Sequence, residues 1–156
     1  EAAAAAESLL GDILRLAERY MQGADVLITA DHGHEEITRN EDLTKDVDLL
    51  KALDVPPFGD PRALHLKTSA DRRDLEALLA KHGEFLLLPR EEAIKTGLLG
   101  PCSDGFADRI GDYLALPGRG LAAIYLYKRK NEDPLKFKGH HGGLTEDELY
   151  VPLVLI

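Results

Sequence analysis

The stretch ADVLITADHGH, residues 24–34, sets a short apolar run directly against a group of polar side chains. Residues 24–30 are apolar and rich in β-branched side chains, a pattern that predicts a buried strand. Asp31 and His32 follow at its end. In open α/β sheets, ligands bind outside the carboxyl ends of the strands. The stretch therefore predicts an α/β sheet and places a candidate site at the end of one strand.

Helical periodicity precedes this strand. Apolar side chains recur at helical spacing through residues 5–21, and Gly23 marks the end of the predicted helix. A helix that leads into a buried strand favours α/β layering with a largely parallel sheet.

The middle of the chain shows a compact alternation of strand and helix. Residues 62–68 and 84–88 are predicted as strands, and residues 71–82 and 90–98 as helices, with Ser69 as a cap. We interpret this βαβα pattern as a small inserted subdomain.

The remaining elements frame this subdomain. We expect short helices at 46–53 and 106–110, strands at 112–116 and 121–127, and a terminal apolar strand. A short helix before that last strand is predicted to begin at Thr145, because Thr145 and Glu148 have capping-box spacing.

The composition limits the classes of function. The content of 44% hydrophobic and 30% charged residues is typical of a soluble globular protein. A net charge of −9 argues against nucleic acid as the main partner, because a polyanion binder needs a basic face. It leaves a phosphate substrate open, since bound divalent metals dominate the field around them. The single cysteine, Cys102, excludes an internal disulfide, and we interpret it as an ordinary thiol.

No apolar run approaches the length of a membrane span, and no signal peptide is present. We therefore expect no membrane partner and a location in the bacterial cytoplasm.

Asp31 and His32 offer a carboxylate and an imidazole, which are both ligands for Zn²⁺ and similar ions. Gly33 would let the backbone turn sharply, so that neighbouring side chains converge. The alternative is that Asp31 caps the next segment and His32 lies on the surface. Taken alone, the short motif supports the metal-ligand role and the cap or surface role about equally.

A second cluster, HHGG at residues 140–143, combines two histidines with two glycines that suit close backbone approach. Taken alone, it is better explained as a flexible loop. The acids at 146–148 are interpreted as structural, since the first turn of a helix favours acids. His34 is a further candidate ligand, but we prefer for it a contact with substrate or a neighbouring loop. His65 and His82 are interpreted as ordinary residues of the subdomain. Arg62 and Lys67 could contact an anionic substrate, but exposed strand positions explain them more simply.

Together the clusters resemble the alkaline phosphatase superfamily, and most closely its type I phosphodiesterases and nucleotide pyrophosphatases. The similar motifs are TADHG at 29–33 and, more specifically, GHHGGLTEDELYVPL at 139–153. REEAIKTGLLG at 90–100 and RIGDYLAL at 109–116 are similar to the middle segment of bacterial members. The resemblance runs from about residue 24 to residue 156.

The resemblance implies a mostly parallel sheet flanked by helices that holds two divalent metal ions, zinc or alternatively manganese. Asp31 and His32 match the pair that binds one ion, and His141 matches the late histidine that binds the other. His140 stands at a position that varies in the family and receives no ligand role. The ions would clamp the phosphoryl oxygens of a phosphate-ester small molecule or nucleotide and activate a nucleophile.

The ligand count is incomplete, since a two-metal site needs about six protein ligands and this chain offers three. In the family, the nucleophilic Thr or Ser and further ligands precede the DHG motif. We therefore expect residues 1–61 and 106–156 to form the C-terminal half of a catalytic α/β domain, with 62–105 as the inserted subdomain. The N-terminal half becomes the expected partner, on another chain or outside this one, and no catalytic nucleophile is assigned here.

The leading hypothesis is a metal-dependent hydrolase of phosphate esters that is inactive as this chain alone. The alternatives are a phosphomutase or sulfatase-like member of the same superfamily, and a non-catalytic binding module that keeps the fold.

Overall fold

A computed structural model describes residues 2–101, 103–128, 130 and 133–156 as a mixed α/β chain. Its α-helices and strands are α1 (Ala2–Tyr20), β1 (Leu27–Thr29), β2 (Glu35–Glu36), β3 (Arg39–Asp42), α2 (Val47–Ala52), β4 (Phe58–Asp60), β5 (Ala63–Leu66), α3 (Arg72–Leu79), β6 (Phe85–Pro89), α4 (Arg90–Lys95), α5 (Asp104–Ala107), β7 (Tyr113–Pro117), β8 (Leu121–Ile124), β9 (Gly139–His140), α6 (Glu146–Leu149) and β10 (Leu153–Leu155). Short 3₁₀ turns lie at Leu43–Lys45 and Asp133–Lys136.

None of the described helices combines the length and apolar character that a membrane span requires. The predicted free thiol of Cys102 lies outside the described residues.

The chain divides into two compact units, Glu1–Asp31 with Val151–Ile156 and His32–Tyr150. In the first unit, α1 forms where the helical periodicity predicted it, and β1 pairs antiparallel with β10. The prediction that the strand after α1 is buried is wrong, because β10 is the only strand paired with it among the described residues. Leu27 is therefore 60% exposed.

The second unit is built on a four-stranded sheet in the order β4-β5-β7-β6. β5 alternates in burial, so that Leu64 and Leu66 face the core while Ala63 and His65 are half-buried. Leu75 and Leu79 of α3 and Leu49 of α2 pack into the same apolar cluster. The helix and strand predictions for this region are confirmed, except that α3 begins after Asp71 rather than after Ser69.

The predicted mostly parallel sheet is not confirmed in this chain. Among the described strands, β3 and β8 form the one parallel pair. β5 and β6 run in the same direction on either side of α3, but β7 lies between them and is antiparallel to both. The predicted division into 1–61 with 106–156 and an inserted 62–105 stays a prediction.

Candidate metal site

A short antiparallel ladder brings the two histidine loops together. β2 pairs with β9, with Glu35 opposite His140. One step further along such a ladder, the residue before Glu35 comes opposite the residue after His140. Accordingly, the ring centroids of His34 and His141 are 5.2 Å apart.

Three imidazole rings cluster at this point. His32 stacks on His141, with ring centroids 3.8 Å apart and an interplanar angle of 16°. His34 stands edge-on to His32 at a centroid distance of 5.2 Å. Each ring offers one ligand nitrogen, and these nitrogens lie within 4.8 Å of one another. Imidazole nitrogen is the commonest protein ligand for zinc-like ions, so this group is chemically suited to hold one.

The backbone beside His32 orients its ring. Nδ1 of His32 lies 2.9 Å from the carbonyl oxygen of Gly33. When Nδ1–H donates to that carbonyl, the lone pair is left on Nε2. A contact of this kind fixes the tautomer and the orientation of metal-ligating histidines.

Gly33 is required by close packing rather than by a left-handed backbone. A Cβ atom at this position would lie 1.9 Å from the carbonyl oxygen of Asp147 in α6. The Gly33 N–H donates to the carbonyl oxygen of Glu148 at 2.9 Å. The sharp turn predicted at Gly33 is instead a close approach of the loop to α6, since Gly33 is absent from the positive-φ glycines of the described chain.

The two positions after His141 require glycine for different structural reasons. Gly142 has φ of +103°, a conformation that side-chain-bearing residues rarely adopt. At Gly143, a Cβ atom would lie 2.5 Å from the carboxylate of Glu148. The pair lets the loop turn and then press against that carboxylate.

Glu148 and Arg62 form a buried ion pair beneath this loop. Arg62 is fully buried and Glu148 is 3% exposed. Arg62 Nε and Nη2 donate to the two carboxylate oxygens at 3.0 and 2.9 Å. Nη1 of the same guanidinium donates to backbone carbonyls of the β7–β8 region, those of Pro117, Gly118 and Leu121. The surface role given to Arg62 from the sequence is therefore wrong.

The surroundings of Glu148 favour its charged form. Burial alone raises its pKa, but hydrogen bonds from Arg62, from Thr145 and from the Gly143 N–H outweigh burial and lower the pKa to about 2. The predicted capping-box contact is confirmed, because the Thr145 N–H donates to Glu148 Oε2 at 3.2 Å.

A second buried carboxylate, Glu35, links β2 to the same region. Its Oε1 accepts the Gly120 N–H at 2.8 Å, and its Oε2 accepts the Thr145 hydroxyl at 2.7 Å. Because Glu35 immediately follows His34, these bonds fix the backbone that carries the histidine cluster.

The other predicted residues are placed as follows. Asp31 is exposed and belongs to the first unit, directly before His32 in the chain. His140 stays outside the cluster, and its Nε2 is buried without a hydrogen-bond partner in the described part of the chain. Burial, followed by the neighbouring His141 and Arg62, lowers the pKa of His140, which favours its neutral form.

The sequence interpretation ranked a ligand role for His34 second, after a contact with substrate or a loop, and it did not identify Arg62 as the partner of Glu148. His34 carried a usable signal, since residues i and i+2 of an extended segment share one face and His32 was already a candidate. The Arg62–Glu148 pair joins residues far apart in sequence, and no local pattern marks it.

No protein-family model and no curated protein sequence matches this chain. Solved structures do match its fold. The murine ectonucleotide pyrophosphatase/phosphodiesterase 5 superposes with a TM-score of 0.61 at 14% identity, over 94% of this chain and 38% of that one. The human protein of the same name gives 0.61 at 16% identity, over 94% and 37%.

A bacterial structure matches equally well. Phosphonoacetate hydrolase from Sinorhizobium meliloti 1021, solved with phosphonoacetate, gives a TM-score of 0.60 at 25% identity, over 90% of this chain and 38% of that one. These proteins are members of the alkaline phosphatase superfamily, so the resemblance inferred from the motifs is confirmed at the level of the fold. The chain spans about 38% of the length of the structures it matches.

Proposed function

We propose that this chain forms part of a metal-dependent hydrolase of phosphate esters, either a phosphodiesterase or nucleotide pyrophosphatase or a phosphatase. The observation that carries the proposal is the stacking of His32 on His141, from the two motifs that resemble the superfamily. The structural neighbours agree with the substrate class. The S. meliloti protein binds phosphonoacetate, and an inactive murine protein binds AMP, and both ligands carry a phosphorus oxyanion.

In this proposal, Asp31 and His32 bind one divalent ion and His141 binds a second, with zinc favoured over manganese. The donor set fits, because imidazole nitrogen and carboxylate oxygen are both zinc ligands. When bound, the two ions would clamp the phosphoryl oxygens and lower the pKa of a metal-bound nucleophile.

The chain's own residues hold the ligands in place. The contact between Nδ1 of His32 and the Gly33 carbonyl presents the opposite nitrogen of that ring as a ligand atom. The buried Glu148 holds the loop after His141 through the Gly143 N–H at 2.8 Å.

As part of the same proposal, the nucleophile and the remaining ligands come from polypeptide outside these 156 residues. That polypeptide would also complete a mostly parallel sheet, with residues 1–61 and 106–156 in the catalytic domain and 62–105 as its insert. The chain alone is then inactive, and the complete protein acts in the bacterial cytoplasm on a small phosphate ester or nucleotide.

The test uses the full-length polypeptide that contains this chain, with bis(p-nitrophenyl) phosphate and p-nitrophenyl phosphate as diester and monoester substrates. Chelation should abolish hydrolysis, and Zn²⁺ or Mn²⁺ should restore it. His32→Ala and His141→Ala should each remove at least about two orders of magnitude of rate, as expected when a metal ligand is lost. His65→Ala serves as the matched control because His65 lies on β5 and outside the cluster. Zinc-dependent turnover by the 156-residue chain itself, or metal-independent turnover by the complete protein, would contradict the proposal.

A further inference from the structure

We propose that Arg62 is a positioning residue for the metal centre and acts through Glu148, which is bonded to both loops that carry His32 and His141. Arg62 is the first residue of the segment predicted as an inserted subdomain, at a position interpreted from the sequence as exposed. Its side chain is fully buried, which excludes a direct contact with substrate. The inference rests on the proposed function for the role of the two histidines, and it adds the residue that holds their loops in register.

The turn that carries Arg62 is buried, unlike most hairpin turns. The pairing of β4 with β5 leaves Pro61 and Arg62 as a two-residue turn. Connecting turns usually lie on the surface, where water satisfies their backbone groups. Here the Pro61 carbonyl oxygen instead accepts the N–H of Ala123 in β8 at 2.9 Å. The tip of the hairpin is therefore docked against β8.

The guanidinium of Arg62 holds Glu148 by its shape as well as by its charge. Two of its nitrogens bond the two carboxylate oxygens, and the third bonds three backbone carbonyls of the β7–β8 region. This bidentate contact sets the direction of the carboxylate, whereas a lysine ammonium would act as a point charge. A Cβ atom at Gly143 would lie 3.1 Å from Arg62 Nη2, so the guanidinium also lies against the loop after His141.

Each metal-ligand loop is bonded to Glu148. The Gly143 N–H donates to its Oε1 at 2.8 Å, and the Gly33 N–H donates to its backbone carbonyl oxygen at 2.9 Å. Gly33 directly follows His32, and Gly143 lies two residues after His141. Glu148 therefore links the two loops through its side chain and its backbone, and the direction of that side chain depends on the guanidinium.

The test uses the full-length polypeptide that contains this chain, with Arg62→Lys and Arg62→Met. Arg62→Lys keeps a charge opposite Glu148 but loses the bidentate contact. Zn²⁺ affinity, measured by competition with a chromogenic chelator, should fall about 10- to 100-fold in Arg62→Lys, the range for outer-shell groups that orient metal ligands. It should fall at least as far in Arg62→Met. In the metal-free protein, mass spectrometry should show faster amide hydrogen exchange in residues 139–145 of both variants.

Leu75→Ala is the matched control for a loss of stability. Leu75 is fully buried in the apolar cluster, to which neither Arg62 nor Glu148 belongs. Its truncation destabilises the fold by leaving a cavity in the core. The folded variant should nevertheless bind Zn²⁺ as the parent does and keep the parent's exchange rates in residues 139–145. Thermal unfolding of each metal-free variant identifies the folded ones, and Arg62→Lys decides the test if Arg62→Met does not fold.

Parent-like Zn²⁺ affinity or parent-like exchange of residues 139–145 in Arg62→Lys would overturn the inference. An equal loss of affinity in Leu75→Ala would overturn it too, because the effect would then follow stability alone. If Zn²⁺ affinity depends on Arg62 while the full-length protein hydrolyses no phosphate ester, the proposed function fails and this inference stands. If hydrolysis requires zinc while Arg62→Lys binds Zn²⁺ as the parent does, the inference fails and the proposed function stands.

Discussion

Replacing Glu148 with glutamine removes the charge from a carboxylate that is almost wholly buried against Arg62. Arg62 is fully buried, so the substitution leaves its guanidinium without a compensating charge. Two routes give the size of the effect. Removing one partner of a buried ion pair costs about 3–5 kcal/mol. The lowering of the Glu148 pKa from 4.5 to about 2 corresponds to about 3 kcal/mol.

The assay is urea unfolding at pH 7, followed by far-UV circular dichroism. With a urea dependence of about 2 kcal/mol per molar, Glu148→Gln should lower the midpoint by about 1.5 M. Asp147→Asn is the matched control, because Asp147 lies on the same helix and makes an ion pair with Arg119 in which both side chains are about 60% exposed. An exposed pair of this kind contributes about 0–1 kcal/mol.

The pH dependence separates the charge from the shape of the side chain. Because the folded pKa of Glu148 is depressed, its stabilising contribution is present above the ordinary pKa of 4.5 and is lost as the pH falls towards about 2. The stability difference between parent and Glu148→Gln should therefore shrink between these pH values. A difference below about 1 kcal/mol at pH 7, or one that stays constant down to pH 2, would refute the argument.

Three further substitutions follow from the same contacts. Gly33→Ala forces a Cβ atom against the Asp147 carbonyl, so it should destabilise the chain by about 1–3 kcal/mol in urea unfolding and weaken Zn²⁺ binding measured by calorimetry. Gly142→Ala imposes a side chain at φ of +103°, with an expected loss of about 1–3 kcal/mol in the same assay, and an unchanged midpoint would contradict it. Asp46→Ala removes the cap that accepts two N–H groups of α2, and the urea midpoint should fall by the equivalent of about 1–2 kcal/mol.

The local patterns of the sequence were sufficient for most elements of the second unit. Alternation predicted β5, and helical spacing predicted α3, because both patterns arise from burial on one face. Pairing direction was not predictable in the same way. The insertion of β7 between β5 and β6 is a long-range choice that leaves no local trace in the residues of either strand.

In the first unit, the local sequence pattern predicts burial that the structure does not show. The apolar run before Asp31 predicts burial, yet Leu27 and Leu155, which face each other across β1 and β10, are 60% and 70% exposed. The apolar composition of a strand indicates that the strand is more stable when its side chains are buried away from water. The composition does not identify the segment that packs against the strand and buries it.

Glu148 connects the parts of the candidate site more directly than any histidine does. Its backbone carbonyl accepts the N–H of Gly33, in the loop of His32 and His34. Its carboxylate accepts the N–H of Gly143, in the loop of His141. A residue interpreted from the sequence as an ordinary acid in a helical first turn thus anchors both ligand loops. Because Arg62 ties that carboxylate to the backbone beside β7 and β8, loss of the pair should loosen both halves of the histidine cluster together.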